Sequence, residues 1–341
     1  MDQRRDSLAR WAANQIQQQY GLDAAAELAV VSGDASFRRY FRLHYHSQTG
    51  DAQQWICVDA PPDKEDNPRF VSIAQRWRAG GVHVPAVLAM DEAQGFMLLE
   101  DFGDALLWPA LHAPDADICA LYRPALTELR AIQRLPTEHL PAYDRTLLMQ
   151  EMALFTDWLC ERQLQLPITD SIRQWFTTLA EALIDSALSQ PQVVVHRDYH
   201  SRNLMLCRDG RLGVIDFQDA VVGPLTYDLV SLLRDCYVRW PDEPVAALVN
   251  EFYASLPEDI RKHMTQPQFE RAFDLMGMQR HLKAAGIFAR LNLRDGKSGY
   301  LADIPNTCQY LREIAGRYDE FAPLCAWMDN EFLPALERLP A

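Results

Sequence analysis

At 341 residues the chain is long enough for two separately packed cores, and 48% hydrophobic with 23% charged residues is a soluble globular profile. Its net charge of −14, from 33 Lys and Arg against 47 Asp and Glu, argues against a nucleic-acid partner, and no apolar run approaches the ~18 residues that cross a bilayer. Seven cysteines without a Cys-x-x-Cys pair, and a Met1–Ser7 start lacking the apolar core of a secretory signal, predict reduced thiols in a cytoplasm, and the chain is expected to be a monomer.

Residues 4–20 have helical spacing and stop at Gly21. A strand at 28–31, a turn at 32–36 and a strand at 40–43 follow, and Trp55-Ile56-Cys57-Val58 reads as a third strand. Asn67-Pro68 opens a helix that Gly80-Gly81 closes, and 85–90 with 96–99 form a strand pair around 91–95. Beyond Glu100 the pattern is helical, apart from short strands around 193–217. The expected fold is therefore α+β: a mainly β lobe with one main helix at 1–100, and a larger, mainly helical lobe at 101–341.

The chemistry concentrates at His196–Phe217. Asp198 is followed by Asn203 at +5 and Asp216 at +18. The β-branched run Val193-Val194-Val195 reads as a buried strand leading into the loop that carries Asp198. Asp209-Gly210 marks the tip of a hairpin between 204–206 and 212–215, which would fold Asn203 back towards Asp216. A carboxylate that accepts a hydroxyl proton, plus an amide and a carboxylate that offer oxygens to Mg²⁺, is the set that phosphoryl transfer from ATP requires.

His-Arg-Asp-x-x-x-x-Asn at 196–203, Ile-Asp-Phe at 215–217 and Gly223-Pro224-Leu225-Thr226-Tyr227-Asp228-Leu229 resemble the aminoglycoside phosphotransferase-like kinases, small-molecule relatives of protein kinases. The resemblance implies a two-lobed protein-kinase-like fold, with nucleotide bound by the 1–100 lobe and catalysis and substrate binding in the 101–341 lobe. It assigns Asp198 as base, Asn203 and Asp216 to Mg²⁺, and Asp228 to support of the catalytic loop. It also implies that Leu99, Glu100 and Phe102 of the 98–102 hinge hold adenine, with Leu206 and Ile215 contributing to the nucleotide site.

Two further motifs are decoys. Asp101-Phe102-Gly103 precedes the catalytic loop by about a hundred residues and reads as hinge, and Gly296-Lys297-Ser298 lacks the first glycine of a P-loop, Leu291 standing there. The turn containing Gly33, Ser36, Phe37 and Arg38, with Arg42 beyond, is either a phosphate cradle or a plain hairpin turn. The resembled family places a lysine on the third strand, paired with a glutamate on the next helix. Here Trp55–Pro62 has no lysine and Pro68–Ala79 no glutamate. Either an arginine of the 38–42 cluster substitutes, or nucleotide binds poorly.

Two helices bear on the acceptor. In 144–164, Leu147, Glu151, Phe155 and Trp158 share a face, so Glu151 is an acid in an apolar stripe, its partner either a substrate hydroxyl or an arginine of the fold. In 269–291, Gln279, Lys283, Gly286 and Arg290 form a basic stripe beside Arg280 and His281, either a solvated face or a site for an anionic group. The segments 34–43, 58–62, 98–104 and 279–291 resemble one bacterial subgroup, kinases of the anomeric hydroxyl of N-acetylmuramate and N-acetylglucosamine in cell-wall recycling. That resemblance implies a small amino-sugar substrate met by Glu151, Arg197, His200, Gln279, Arg280 and Lys283. The alternatives are another hydroxyl acceptor, such as an aminoglycoside, choline or homoserine, or a non-catalytic nucleotide-binding scaffold.

Overall fold

The computed structural model of the protein describes residues 2–22, 27–33, 37–46 and 52–338. By internal contacts it divides into two compact units, Met1–Ala110 with Arg202–Gln218, and Leu111–Ser201 with Asp219–Ala341.

The first unit is built on a five-stranded antiparallel sheet. Its strands are β1 Leu28–Gly33, β2 Arg39–His46, β3 Ala52–Asp59, β4 Val87–Asp91 and β5 Phe96–Glu100, in the order β1-β2-β3-β5-β4. Phe41 and Leu43, Trp55 and Cys57, and Phe96 and Leu98 alternate along their strands, so they share one sheet face. Helix α1, Gln3–Tyr20, covers that face with Leu8, Ala12 and Ile16, one residue every turn. Burying Leu8 and Ile16 contributes roughly 2 kcal/mol each. Asp2 caps α1 by accepting the Arg5 N–H, and Gly21 ends it at φ 69°, a left-handed turn that costs glycine little. Helix α2, Asn67–Ala79, is capped by Asp66 and packs Phe70 and Trp77 against Phe217 at ring separations of 5.0 and 5.7 Å.

The second unit is mainly helical. β6 Gln192–Val195 leads into the loop that carries Asp198, the hairpin of β7 Leu204–Leu206 and β8 Leu212–Val214 belongs to the first unit, and β9 Val221–Pro224 pairs antiparallel with β6. The helix Gln266–Asp295 begins in a capping box of Thr265 and Gln268 and ends at Gly296. It buries residues on every side from Phe269 to Ala289, so its polar stripe is no solvated face: Gln279 is 0% and Lys283 8% exposed.

The helix expected at 144–164 needs a second correction. It is α-helical over Arg145–Leu154 and π-helical over Phe155–Gln163. The change falls where Gly286 crosses it, because a Cβ there would lie 2.3 Å from the Leu154 carbonyl carbon and 2.5 Å from the Phe155 nitrogen. Trp158, in the π-helical part, lies half-buried under the Arg162 guanidinium at 4.1 Å. Among the described residues no helix is long and apolar enough to cross a membrane.

Candidate active site

In the second unit the loop after β6 is held by two carboxylates. Asp228, at the start of the helix Tyr227–Leu233, accepts the backbone N–H groups of His196 at 2.7 Å and Arg197 at 3.0 Å. Asp235 accepts Ser201 Oγ at 2.7 Å and its N–H at 3.2 Å, and the N–H of Tyr237 at 3.0 Å. Burial pushes Asp228 up to about 7, against the two N–H groups that favour its charge. Between these staples Arg197 has φ 79°, one of three described non-glycine residues with positive φ; Asp216 at 65° is another. Such backbone is costly and persists only where its surroundings impose it.

Asp198 follows Arg197. Burial works against its charge, yet Lys283 above all, then His200, His196 and Arg280, hold it below the ordinary carboxylate range. A carboxylate held below its ordinary range stays ionised into strongly acid pH, so an activity that needs it falls only as pH drops through that lowered value. In a Lys283→Gln variant the acid limb of the kcat/KM profile is expected to move to higher pH. A pH–rate comparison with the native enzyme measures this, and an unmoved limb would show that Lys283 does not set the charge of Asp198.

Asp198 opens on a cavity of about 380 Å³, near the lower end of small-molecule sites, lined also by Leu147, Gln150, Glu151, Leu154, Arg197, Asp219, Lys283, Ile287 and Arg290. The partner of Glu151 belongs to the fold. Its Oε1 accepts from Arg197 Nη2 and from Lys283 Nζ at 3.1 Å, and its Oε2 from the Tyr143 hydroxyl. Lys283 also donates to the Tyr227 hydroxyl at 3.0 Å, and Gln279 Nε2 to that of Tyr143 at 3.3 Å. Of the residues expected at the substrate, Glu151, Arg197 and Lys283 line the cavity with Asp198. His200, Gln279 and Arg280 do not. The His200 ring packs on Tyr237 at 5.2 Å, Gln279 stands behind Tyr143, and Arg280 Nη1 donates to Cys236 Sγ at 3.4 Å.

In the first unit the β7–β8 hairpin brings Asn203 and Asp216 together: Asn203 Nδ2 lies 3.4 Å from Asp216 Oδ2, and the Ile215 N–H donates to the Asn203 carbonyl at 3.1 Å. Gln218 Nε2 holds Asp216 Oδ1 at 2.6 Å. An amide and a carboxylate at this separation are hard oxygen donors of the kind Mg²⁺ takes. The neighbouring Phe217 is clamped by α2. Leu206 donates its N–H to the Ala105 carbonyl at 2.7 Å, and Glu100 to that of Ala86 at 2.9 Å. Leu99 is buried in β5, and the Phe102 ring packs on His83 at 4.5 Å over Gly213, where a Cβ would come within 2.5 Å of it.

The profile of the phosphotransferase enzyme family matches residues 27–263. The chain belongs to that family. As a phosphotransferase it is 44% identical over 308 residues to the N-acetylmuramate/N-acetylglucosamine kinase of Pseudomonas aeruginosa, covering 88% of this chain and 87% of that one. With the N-acetylmuramate/N-acetylglucosamine kinase of Pseudomonas putida it shares 41% over 330 residues, 95% of each chain. A solved choline kinase of Streptococcus pneumoniae matches 90% of this chain and 99% of its own with TM-score 0.61, at an identity of 11% that speaks for the fold alone.

This phosphotransferase has an arginine–glutamate pair in its first unit. Arg38 is buried, with Nη2 3.0 Å from Glu65 Oε2 and its guanidinium 5.3 Å from the Phe70 ring centre. Glu65 Oε1 also accepts the Phe37 N–H at 3.1 Å. The other two arginines are held by two acids each: Arg39 by Asp2 and Asp59, and Arg42 by Asp101 at 2.5 Å and Asp104 at 2.7 Å. Gly33 ends β1 opposite Arg39, and Ser36 lies outside the described residues. Glu65 precedes the cap Asp66 and so lies outside the helix Asn67–Ala79, where the family's sequence pattern places the partner glutamate. Asp235 also lies outside the expected site residues; its one signal is an acid just past the helix that Asp228 begins.

Proposed function

We propose that the protein is an ATP-dependent sugar kinase that phosphorylates the anomeric C1 hydroxyl of N-acetylmuramate and N-acetylglucosamine to the α-1-phosphate, as a cytoplasmic monomer in cell-wall recycling. The observation that carries this reading is the ionised Asp198 at a small cavity walled by polar and apolar side chains. The names of the relatives at 41% and 44% identity point to the same sugars.

In this mechanism Asp198 orients the C1 hydroxyl and takes its proton. The hydroxyl oxygen bonds to the γ-phosphorus as the bond to the β–γ bridging oxygen breaks, and ADP carries off that electron pair. Asn203 and Asp216 would hold Mg²⁺, which neutralises phosphate charge when bound. Catalysis is mainly positioning and electrostatics, so it depends on the staples that Asp228 and Asp235 place on the loop.

Arg38 takes the part of the absent lysine, with Glu65 fixing its guanidinium. Losing one charge-assisted phosphate contact costs about 1.5–3 kcal/mol, so Arg38→Ala is expected to raise KM for ATP by about 10- to 100-fold. Kinetics at saturating sugar measure it, and an unchanged KM would leave Arg38 with a structural role only.

The reading itself is tested by phosphorus NMR of the product from ATP and N-acetylmuramate. A resonance coupled to the anomeric proton is expected. ADP release without it, or turnover of an aminoglycoside or choline in its place, would overturn the assignment.

A further inference from the structure

Three cations line the Asp198 cavity, and two are already matched: Arg197 and Lys283 both donate to Glu151. Arg290 is different. It lies two helical turns beyond Lys283 on the same face, past the close crossing at Gly286. It is half-buried, and what sets it apart from Arg197 and Lys283 is that among the described residues it has no ion pair; its Nε, like that of Arg197, is also buried without a hydrogen-bond acceptor. Asp219 lines the same cavity and is exposed, yet forms no ion pair with Arg290.

A buried guanidinium N–H without an acceptor is costly, and native structures rarely keep one unless something else supplies the acceptor. The planar fork of arginine fits a carboxylate in two parallel bonds. Ile287 stands one helical turn before Arg290 on the same helix, and it lines the cavity with Leu147 and Leu154, which makes part of the wall apolar. An anionic group flanked by a small alkyl group matches that wall, and the lactyl ether of N-acetylmuramate has this form, a carboxylate and a methyl on one carbon. N-acetylglucosamine lacks it.

We propose that Arg290, with Leu154 and Ile287, is the receptor for a carboxylate-bearing ether on the acceptor sugar, and so sets the preference for the acidic over the neutral sugar. The inference rests on the amino-sugar reading above. Its test is steady-state kinetics of the native enzyme and Arg290→Gln with N-acetylmuramate, its methyl ester and N-acetylglucosamine. In the variant, kcat/KM for N-acetylmuramate is expected to fall about 30-fold more than for N-acetylglucosamine, mainly through KM. The native enzyme is expected to discriminate against the ester by a similar factor, a measurement that needs no variant. An equal loss with both sugars, no loss with either, or an ester used as well as the acid overturns the inference alone. A native enzyme inactive on both sugars overturns the amino-sugar reading and this inference with it.

Discussion

Replacing Asp198 by asparagine is expected to lower kcat by about 10²–10⁴-fold while leaving ATP binding intact. The variant keeps the shape of the side chain but cannot accept the hydroxyl proton. The groups proposed for the nucleotide, Asn203, Asp216 and Arg38, are untouched. Around Asp198 are Lys283, His200, His196 and Arg280, which keep a carboxylate ionised; beside an amide they have no charge to stabilise. ADP release at saturating sugar, with calorimetric titration of ATP, separates the two effects. Turnover near the native rate would remove Asp198 from the chemistry, whereas an inactive native protein that binds ATP would make the protein a scaffold.

The second large effect is on stability. Glu151 neutralises Arg197 and Lys283 and accepts the Tyr143 hydroxyl; Glu151, Lys283 and Tyr143 are buried and Arg197 is half-buried. Glu151→Leu keeps the volume and removes the charge, leaving two cations without their shared partner. Breaking a buried pair from one side typically costs about 3–5 kcal/mol, and Glu151→Leu is expected to fall in that range. Glu151→Gln should cost less, since its carbonyl oxygen still accepts one donor. Adding Lys283→Met to Glu151→Leu should restore part of the loss, because one stranded charge goes with it. Urea denaturation measures all three. A loss below about 1 kcal/mol for Glu151→Leu would mean that water already solvates the cations.

Much of the fold was legible from local pattern. The spacing of Leu8, Ala12 and Ile16 marks α1, and the two-residue alternation in 41–43, 55–57 and 96–98 marks the sheet that it covers. Asp66, Asn67 and Pro68 mark the start of α2. Both decoys resolve into structure. Asp101 holds Arg42 and accepts the Gly103 N–H at 2.8 Å, and Gly296 is the left-handed cap of the long helix at φ 67°.

The rest depends on residues far apart in the chain. Arg38 and Glu65 meet because β2 and the loop before α2 converge in one unit, and no spacing rule relates 38 to 65. The partner of Glu151 stayed open because Arg197 and Lys283 lie 46 and 132 positions away. The helix of Lys283 meets that of Glu151 at Gly286, whose missing Cβ allows the two helices to touch by backbone. The same contact coincides with the π-helical widening that a fixed 3.6-residue period cannot anticipate.

The sequence by itself determined the groups and their order: a carboxylate after a buried strand, an amide and a second carboxylate around a hairpin, and two helices whose polar residues recur on one face. These are local properties, set by backbone sterics, turn chemistry and the periodicity of burial. Only the tertiary structure decided which charges neutralise one another. A salt bridge depends on distance in space, and once Glu151 has taken Arg197 and Lys283, Arg290 is left in the cavity without an ion pair among the described residues.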